Sequence, residues 1–217
     1  MKTIRTASVC LALLTLALSH VHAQRRLHLR PSLDSATCIL QWTLDGSGVW
    51  EISGGKLVLA KAGVPSGSIR RPAALAILKS VPLTDVSVQV ELRSTAPPEL
   101  AVRDLDLVFG YESLSRFYYI HLSGITNDVH NGVFLVADAD RRRIDSGTAP
   151  PQLKDQTWHR IRLEREPSSG RIAVFVDGSK RAVMTAVDTT IRAGRVGFGS
   201  FDDTGEFRKI LVSGSTK

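Results

Sequence analysis

Along most of the chain, apolar and polar residues alternate with a period of two. The segment 85–94 shows this most clearly, because valines and a leucine occupy every second position between polar residues. Successive side chains of a strand point to opposite faces, so the pattern predicts sheets with one buried face. No stretch keeps apolar residues at i, i+3, i+4 and i+7 over three turns, and we therefore expect almost no helix.

The same alternation predicts a long series of short strands separated by turn residues. It places strands at 38–42, 56–60, 67–71, 75–79, 85–94, 105–110, 116–123, 132–137, 158–164, 171–177, 182–187, 194–201 and 207–213. Ten or more short strands with almost no helix are typical of an all-β protein. The length favours a two-sheet antiparallel β-sandwich of the jelly-roll type, since an immunoglobulin-like sandwich needs only about 100 residues.

The first 23 residues have the pattern of a cleaved secretory signal. Lys2 and Arg5 precede a short apolar run at 9–18, and the small residue Ala23 follows at the expected cleavage point. The alternative is a buried N-terminal helix. We expect a secreted or periplasmic protein with a basic, loop-like arm at 24–37 and one domain at 38–217, and no segment after the signal is apolar enough to be a transmembrane helix.

Removal of this segment changes both the charge and the cysteine content. The formal charge falls from +7 to +5, and the 194 remaining residues are enough for one well-buried domain. Cys10 would be lost with the signal, so Cys38 would have no partner for an intrachain disulfide, and we expect it to be a small buried hydrophobe. The basic clusters 70–71, 141–143 and 180–181 are separate and predict solvated turns. They suit attraction to acidic glycans better than binding to nucleic acid.

Three groups of residues resemble a known family. The first is QTWHRIRLE with GRIAVFVDG at 156–178, in which Asp177-Gly178 suits a tight turn. The second is FGY, RFYYIHL and DVHNGVFLV at 109–136. The third is GRVGFGSFDDTGEF at 194–207. They resemble laminin G-like domains of secreted bacterial proteins, in the concanavalin A-like lectin/glucanase superfamily and near the 3-keto-disaccharide hydrolase-like domains.

The resemblance implies a concanavalin A-like jelly roll, with carbohydrate as the common partner of the family. One such frame hosts lectins, enzymes and protein-binding modules. The Glu-x-Asp-x-x-Glu strand of the related glucanases is missing here, which argues against their retaining chemistry. Arg208 stands where many laminin G-like chains have an Asp near bound calcium.

The candidate ligand site follows the strand at 116–123. Phe117, Tyr119, His121 and Ser123 share one face of this strand. Aromatic rings stack on the C–H patches of sugars and polar groups bind their hydroxyls, so this face predicts a carbohydrate site on a concave sheet. The predicted ligand-binding residues are Tyr119, His121, His130, Asn131 and either or both of Arg93 and Gln89.

Several alternatives remain open. Tyr119 and His121 are equally compatible with ordinary sheet residues. They also resemble the Tyr and His of alginate lyases, and a basic protein would attract an anionic glycan. The function expected is carbohydrate binding without catalysis; the alternatives are a polysaccharide- or disaccharide-degrading hydrolase or lyase, and a protein–protein interaction module.

No catalytic residue, metal ligand or cofactor is assigned from the sequence. Three acidic groups are rich enough in oxygen for Ca²⁺ but are more typical of solvated loops: Asp202-Asp203 with Glu206, Asp104 with Asp106, and Asp138 with Asp140. The histidines do not show the spacing of zinc ligands.

Overall fold

Two antiparallel sheets account for the alternating segments. The computed structural model describes residues 25–216. The predicted signal at 1–23, with Cys10, lies outside these residues. The strands are β1 (Arg26–Leu29), β2 (Trp42–Gly46), β3 (Val49–Ser53), β4 (Lys56–Lys61), β5 (Ala74–Leu78), β6 (Val86–Ser94), β7 (Asp104–Ser113), β8 (Arg116–Ser123), β9 (Gly132–Ala137), β10 (Arg142–Arg143), β11 (His159–Glu166), β12 (Arg171–Val176), β13 (Met184–Val187), β14 (Arg195–Ser200) and β15 (Gly205–Ser215).

Neighbouring strands in the sequence often belong to different sheets. The eight-stranded sheet has the order β13-β12-β11-β6-β15-β4-β3, and β1 adds to it by pairing with β15. The seven-stranded sheet has the order β10-β9-β8-β7-β14-β5-β2. The predicted all-β, two-sheet sandwich is therefore confirmed. Among the described residues, no helix is long and apolar enough to cross a membrane.

The core fills the space between the two sheets. Strand β8 contributes Tyr118, Ile120 and Leu122 to it, as the alternation predicts. Phe198 of the seven-stranded sheet meets Phe207 of the eight-stranded sheet with ring centroids 4.8 Å apart. Offset aromatic contacts of this kind stabilise a core beyond the area they bury. Trp42 and Trp50 are buried in the same cluster.

A second apolar cluster covers the outer face of the seven-stranded sheet. Phe117 and Tyr119 of β8 belong to it, and Ile69 packs against it from the segment between β4 and β5. Strands β7, β8 and β9 are therefore buried on both faces for most of their length. Loops thus cover part of the outer face of this sheet, and they determine which side chains a ligand can reach.

Three local predictions are wrong. Residues 36–41 form a 3-10 helix instead of a strand, and Cys38 is only half-buried there. Hydrogen bonding from Ser32 and then Ser35 lowers the pKa of its thiol to about 7. Residues 67–71 form a loop, because Gly67 has a φ of 81° and the amide of Arg70 binds a side chain instead of a strand. The arm at 24–37 contains strand β1, which pairs with β15.

Candidate functional site

A cavity of about 470 Å³ lies on the outer face of the seven-stranded sheet. Its floor comes from the sheet itself, since Asp104 projects from β7 and His121 from β8. Its walls come from the loops at 65–71 and 140–141, with Phe201 and Asp202 from the turn after β14. A concave, largely preformed space of this size suits a small molecule or a few sugar residues.

Two adjacent strands bring His121 and Asp106 together at the floor. The two residues are paired in register between β7 and β8, so their side chains share the outer face. Nδ1 of His121 lies 2.8 Å from Oδ1 of Asp106, and both side chains are buried. Burial lowers the pKa of His121 to about 4 and raises that of Asp106 well above its ordinary value. Both shifts favour the neutral forms, so burial opposes an ordinary ion pair at this contact.

The neutral pair leaves polar atoms without partners. Nε2 of His121 and Oδ2 of Asp106 are buried, and neither has a hydrogen-bond partner within residues 25–216. Buried polar atoms are normally satisfied, and an exception calls for an explanation such as a ligand. His121 lines the cavity. Its Nε2 either donates or accepts, depending on the tautomer, and a hydroxyl group can satisfy both cases.

Asp104 ties the floor of the cavity to the turn after β14. Its carboxylate accepts hydrogen bonds from the amide of Phe201 at 3.0 Å and the hydroxyl of Ser200 at 3.2 Å. The carboxylate of Asp203 in turn accepts from the amide of Asp104 at 2.8 Å. Burial raises the pKa of Asp104 well above its ordinary value, and nearby Asp106 adds to this. This network fixes Phe201 and Asp202 at the rim.

Three guanidinium groups line the cavity: those of Arg70, Arg71 and Arg141. None of them forms an ion pair with a carboxylate in the described part of the chain, whereas eight other arginines do so. Arg141 lies 4.3 Å from the centroid of Phe201, and its Nε is buried without a partner. The walls therefore carry three guanidinium groups that form no ion pair, beside the two carboxylates of Asp140 and Asp202.

The loops that carry these arginines are fastened to each other. The amide of Arg70 donates to Oδ1 of Asp140 at 2.7 Å, and the amide of Arg141 donates to the carbonyl of Arg70 at 3.2 Å. The cluster 141–143 is thus more than the solvated turn we predicted. Arg141 lines the cavity, Arg142 points to Asp188, and Arg143 binds Asp145.

Tyr119 lies beneath the site rather than in its wall. It is buried in the outer aromatic cluster, and its ring stacks on Phe134 with centroids 5.3 Å apart. Its hydroxyl accepts a hydrogen bond from Arg141 at 3.2 Å. Burial raises the pKa of Tyr119 well above its ordinary value, which opposes a role as the base of a lyase. The geometry assigns Tyr119 the task of positioning Arg141.

His130 and Asn131 follow each other but are placed differently. His130 lines the cavity, with its ring centroid 5.5 Å from that of His121. Asn131 is fully buried, and its side-chain amide donates to the carbonyls of Pro150 at 2.8 Å and Ala149 at 3.1 Å. Its φ of 54° lies in the left-handed region, where Asn is better tolerated than most residues. It fastens the loop that carries His130.

We therefore expect Asn131→Ala to destabilise the fold by about 2 to 3 kcal/mol. The substitution removes the hydrogen bonds of the buried amide to the carbonyls of Ala149 and Pro150 and places alanine at a positive φ. Urea denaturation measures the loss. His130→Ala is the control, because its half-exposed ring contributes no comparable bonds to the backbone. Equal stability of the two variants would contradict the structural role of Asn131.

Arg93 and Gln89 are not part of the cavity. Both lie on β6, in the eight-stranded sheet, on the face that points away from the core. The expectation that they join Tyr119 and His121 on one surface is wrong. The reason is that β6 and β7 are consecutive in the sequence but belong to opposite sheets.

The fold groups the acidic residues differently from the sets that the sequence suggests for Ca²⁺. Asp104, Asp106 and His121 place one donor atom each within 4.8 Å of one another, as do Asp104, Asp202 and Asp203. The first set mixes carboxylates with an imidazole, which suits a divalent transition ion, whereas the second offers only oxygen, as Ca²⁺ prefers. Glu206 is separate from Asp202 and Asp203, because it binds Lys56 and Arg93 on the other sheet.

Sequence reasoning missed Arg70, Arg141 and Phe201 as residues of the site. The sequence offers only a weak signal for them. Arg141 and Phe201 each lie in a turn beside an Asp in the sequence, whereas Arg70 meets Asp140 only in the folded protein. Only the folded loops bring them to one cavity.

Comparisons with known proteins agree on the architecture. No protein-family model and no curated protein sequence matches the chain. Among solved structures, it resembles the carbohydrate-binding module CBM66 from Bacillus subtilis, with a TM-score of 0.60 and 15% identity over 78% of this chain and 93% of that one.

Plant lectins give similar agreement. The lectin I from Ulex europaeus, in complex with the methyl glycoside of α-L-fucose, has a TM-score of 0.55 and 12% identity over 89% of this chain and 98% of that one. The lectin from Bauhinia forficata, in complex with GalNAc, has a TM-score of 0.54 and 13% identity over 90% and 99% of the two chains. Together with the two sheets and their order, these similarities show that the protein has a concanavalin A-like jelly-roll fold.

Proposed function

We propose that the protein is an exported carbohydrate-binding protein that holds a sugar in the cavity above His121 without transforming it. The observation that carries this proposal is the buried Nε2 of His121, which lines a preformed cavity and has no partner within the described residues. A sugar hydroxyl both donates and accepts, so it matches this atom in either tautomer. The carbohydrate ligands of structures with the same fold support the choice of a sugar.

The preferred sugar carries a carboxylate. Arg70, Arg71 and Arg141 line the cavity, form no ion pair within the described residues and outnumber the two wall carboxylates, those of Asp140 and Asp202. A guanidinium group presents parallel N–H donors that fit the two oxygens of a carboxylate. Burial raises the pKa of Asp104 and of Asp106, so the floor repels an anion less than two ordinary carboxylates would. A uronic acid residue combines the required hydroxyl and carboxylate.

We expect His121→Phe to weaken sugar binding by about tenfold or more. Phenylalanine keeps the ring contacts with Phe134 and Phe201 but removes the unsatisfied nitrogen, and loss of a buried hydrogen bond costs about 1 to 3 kcal/mol. Calorimetric titration with the uronates and neutral sugars selected on a glycan array measures the effect. His28→Phe, on exposed strand β1, is the control. Unchanged affinity in His121→Phe would refute the proposed site.

One observation favours hydrolysis as a second candidate. Asp104 has a raised pKa, as a general acid requires, and a carboxylate oxygen of Asp202 lies within 4.8 Å of one of its own. The same sugars, incubated with the protein and assayed for new reducing ends, separate the two functions. Release that disappears in Asp104→Asn would replace binding alone with hydrolysis.

A further inference from the structure

The outer face of the eight-stranded sheet carries a row of basic residues that outnumber the carboxylates they pair with. Glu91 accepts from Arg208 Nε and Lys209 Nζ, each at 2.9 Å, and lies 3.5 Å from Arg160. Glu206 lies 2.6 Å from Lys56 and from Arg93. Five cations thus surround two carboxylates, an excess of three positive charges within the row. We call these seven residues the basic row. Asp177 borders the same surface, where it accepts from the backbone amide of Arg160 and contacts His159.

A strained backbone position builds this row. Consecutive residues of a strand normally point to opposite faces, but Arg208 and Lys209 both reach Glu91. They do so because the pairing of β15 with β6 shifts register after Arg208, and Lys209 adopts a φ of 52°. This conformation is unfavourable for lysine and natural for glycine. Strain at such a position is a pointer to function.

The row has the shape of a track for an extended anion. Its cations come from β11, β6, β15 and β4, which are four adjacent strands of the sheet. Neighbouring strands lie about 4.8 Å apart, so the row extends over about 14 Å. The side chains of Arg160 and Lys209 are about two-thirds exposed, at 64% and 65%. A linear polymer with regularly spaced charges can contact all of them.

Neither a membrane nor a nucleic acid fits this face as well. Binding at a membrane surface needs apolar anchors, and the exposed large apolar side chains of the described residues all lie outside β4, β6, β11 and β15. Single-stranded nucleic acids need open aromatic faces. Trp158 is the aromatic residue here, and the guanidinium groups of Arg93 and Arg208 lie over its ring, at 4.9 and 3.9 Å.

We propose that the basic row is a second binding site, independent of the cavity, and that it takes an extended stretch of an acidic polysaccharide. The cavity and the row lie on the outer faces of opposite sheets. One protein molecule can therefore contact two acidic chains and cross-link them. The row recognises negative charge along a polymer, whereas the cavity recognises one residue.

The test uses the double variant Arg160→Gln, Lys209→Gly. Glycine removes a cation and relieves the positive φ, so the fold should be at least as stable as the wild type, as thermal denaturation measures. Affinity for polygalacturonate is measured at about 0.1 M salt with His121→Phe present in all proteins, so that the cavity contributes little. We expect it to fall about tenfold in the double variant, because two exposed cations near a polyanion are lost. Without His121→Phe, the double variant should bind monomeric galacturonate as the wild type does. The control is Lys154→Gln, Arg192→Gln, which removes two exposed cations elsewhere.

Three results would overturn the proposal. One is equal polygalacturonate affinity in His121→Phe with and without the double substitution. Another is an equal loss in the control variant, which would mean that only net charge matters. The third is binding of single-stranded DNA or of vesicles of anionic lipid at least as tight as that of polygalacturonate and equally sensitive to the double variant. Loss of galacturonate binding in His121→Phe, with polymer binding through the row retained, would show that the two sites are independent.

Discussion

Replacing Arg141 with glutamine is expected to weaken the binding of a uronic acid by about thirtyfold or more. Arg141 has no carboxylate partner among the described residues, and its Nε is buried and unsatisfied beside the cavity. Truncating one partner of a desolvated, hydrogen-bonded charge pair costs about 2 to 5 kcal/mol, and 2 kcal/mol corresponds to about thirtyfold in affinity. Calorimetric titration of galacturonate against both proteins measures the difference.

Two further variants make the result specific. Arg142→Gln removes the neighbouring charge, which is mostly exposed and points to Asp188, so galacturonate binding should be nearly unchanged. Arg141→Lys keeps the charge but loses the planar pair of donors, and its affinity should fall between those of the wild type and Arg141→Gln. If Arg141→Gln binds galacturonate as the wild type does, the guanidinium groups do not recognise the carboxylate.

Galacturonate and neutral galactose together separate charge recognition from sugar recognition. We expect Arg141→Gln to lose its preference for the uronate while retaining the weaker binding of the neutral sugar, since His121 is intact. A variant that loses both sugars equally, and whose thermal stability has also fallen, would indicate collapse of the aromatic cluster under Arg141. The contacts of Arg141 with Tyr119 and Phe201 make thermal denaturation a necessary companion measurement.

The sequence predicted the architecture because the alternation of side chains is a local property. Strand β8 was placed at Arg116–Ser123 with Tyr118, Ile120 and Leu122 on the core face, and the structure has the same bounds and the same faces. Its other face was expected to line a concave surface. Period two decides which residues share a face, but it cannot say what covers that face.

The loops that cover β8 are held together by contacts between residues that are distant in the sequence. Arg70 and Asp140 are separated by 70 residues, and their hydrogen bond joins the two loops that carry the cationic walls. Since the sequence does not show these loops, it predicts that Tyr119 touches the ligand, whereas the structure buries Tyr119 under Arg141. Arg93 was assigned to the same site because the sequence does not state which sheet each strand joins. Alternation alone leaves sheet partners open.

The neutral pair at the cavity floor also explains why its residues look unremarkable in the sequence. Asp104 and Asp106 fit a solvated acidic strand end as well as a buried site. Their character comes from burial, which changes the protonation of both carboxyls and of His121. Burying acids in this way costs stability, and sites of binding commonly carry such a cost. The cost predicts a measurable dependence of stability on pH.

The sign of that dependence follows from the direction of each pKa shift. The pKa of Asp106 lies well above its ordinary value, so above about pH 4 the folded protein retains a proton that the unfolded chain releases. The stability from this group is full at low pH and is lost as pH rises towards the folded pKa. The titration of His121 has the opposite effect on stability, and it does so at lower pH. Its pKa falls from 6.5 to about 4, so it costs stability as pH falls through that range.

Asp106→Asn should therefore be more stable than the wild type, by a margin that grows as pH rises from the ordinary pKa range of a carboxyl towards the raised pKa of Asp106. The free energy of unfolding of the two proteins should diverge by up to about 1.4 kcal/mol per pH unit over this range, because one proton is retained by one of them alone. A series of urea denaturations from acidic to neutral pH measures this divergence. The control is Asp34→Asn, which is exposed beside the eight-stranded sheet and away from the cavity, and its stability should run parallel to that of the wild type. If the stability of Asp106→Asn also runs parallel to that of the wild type, Asp106 is ionised in the folded protein. The weakly charged cavity floor on which uronate binding depends would then have to be abandoned.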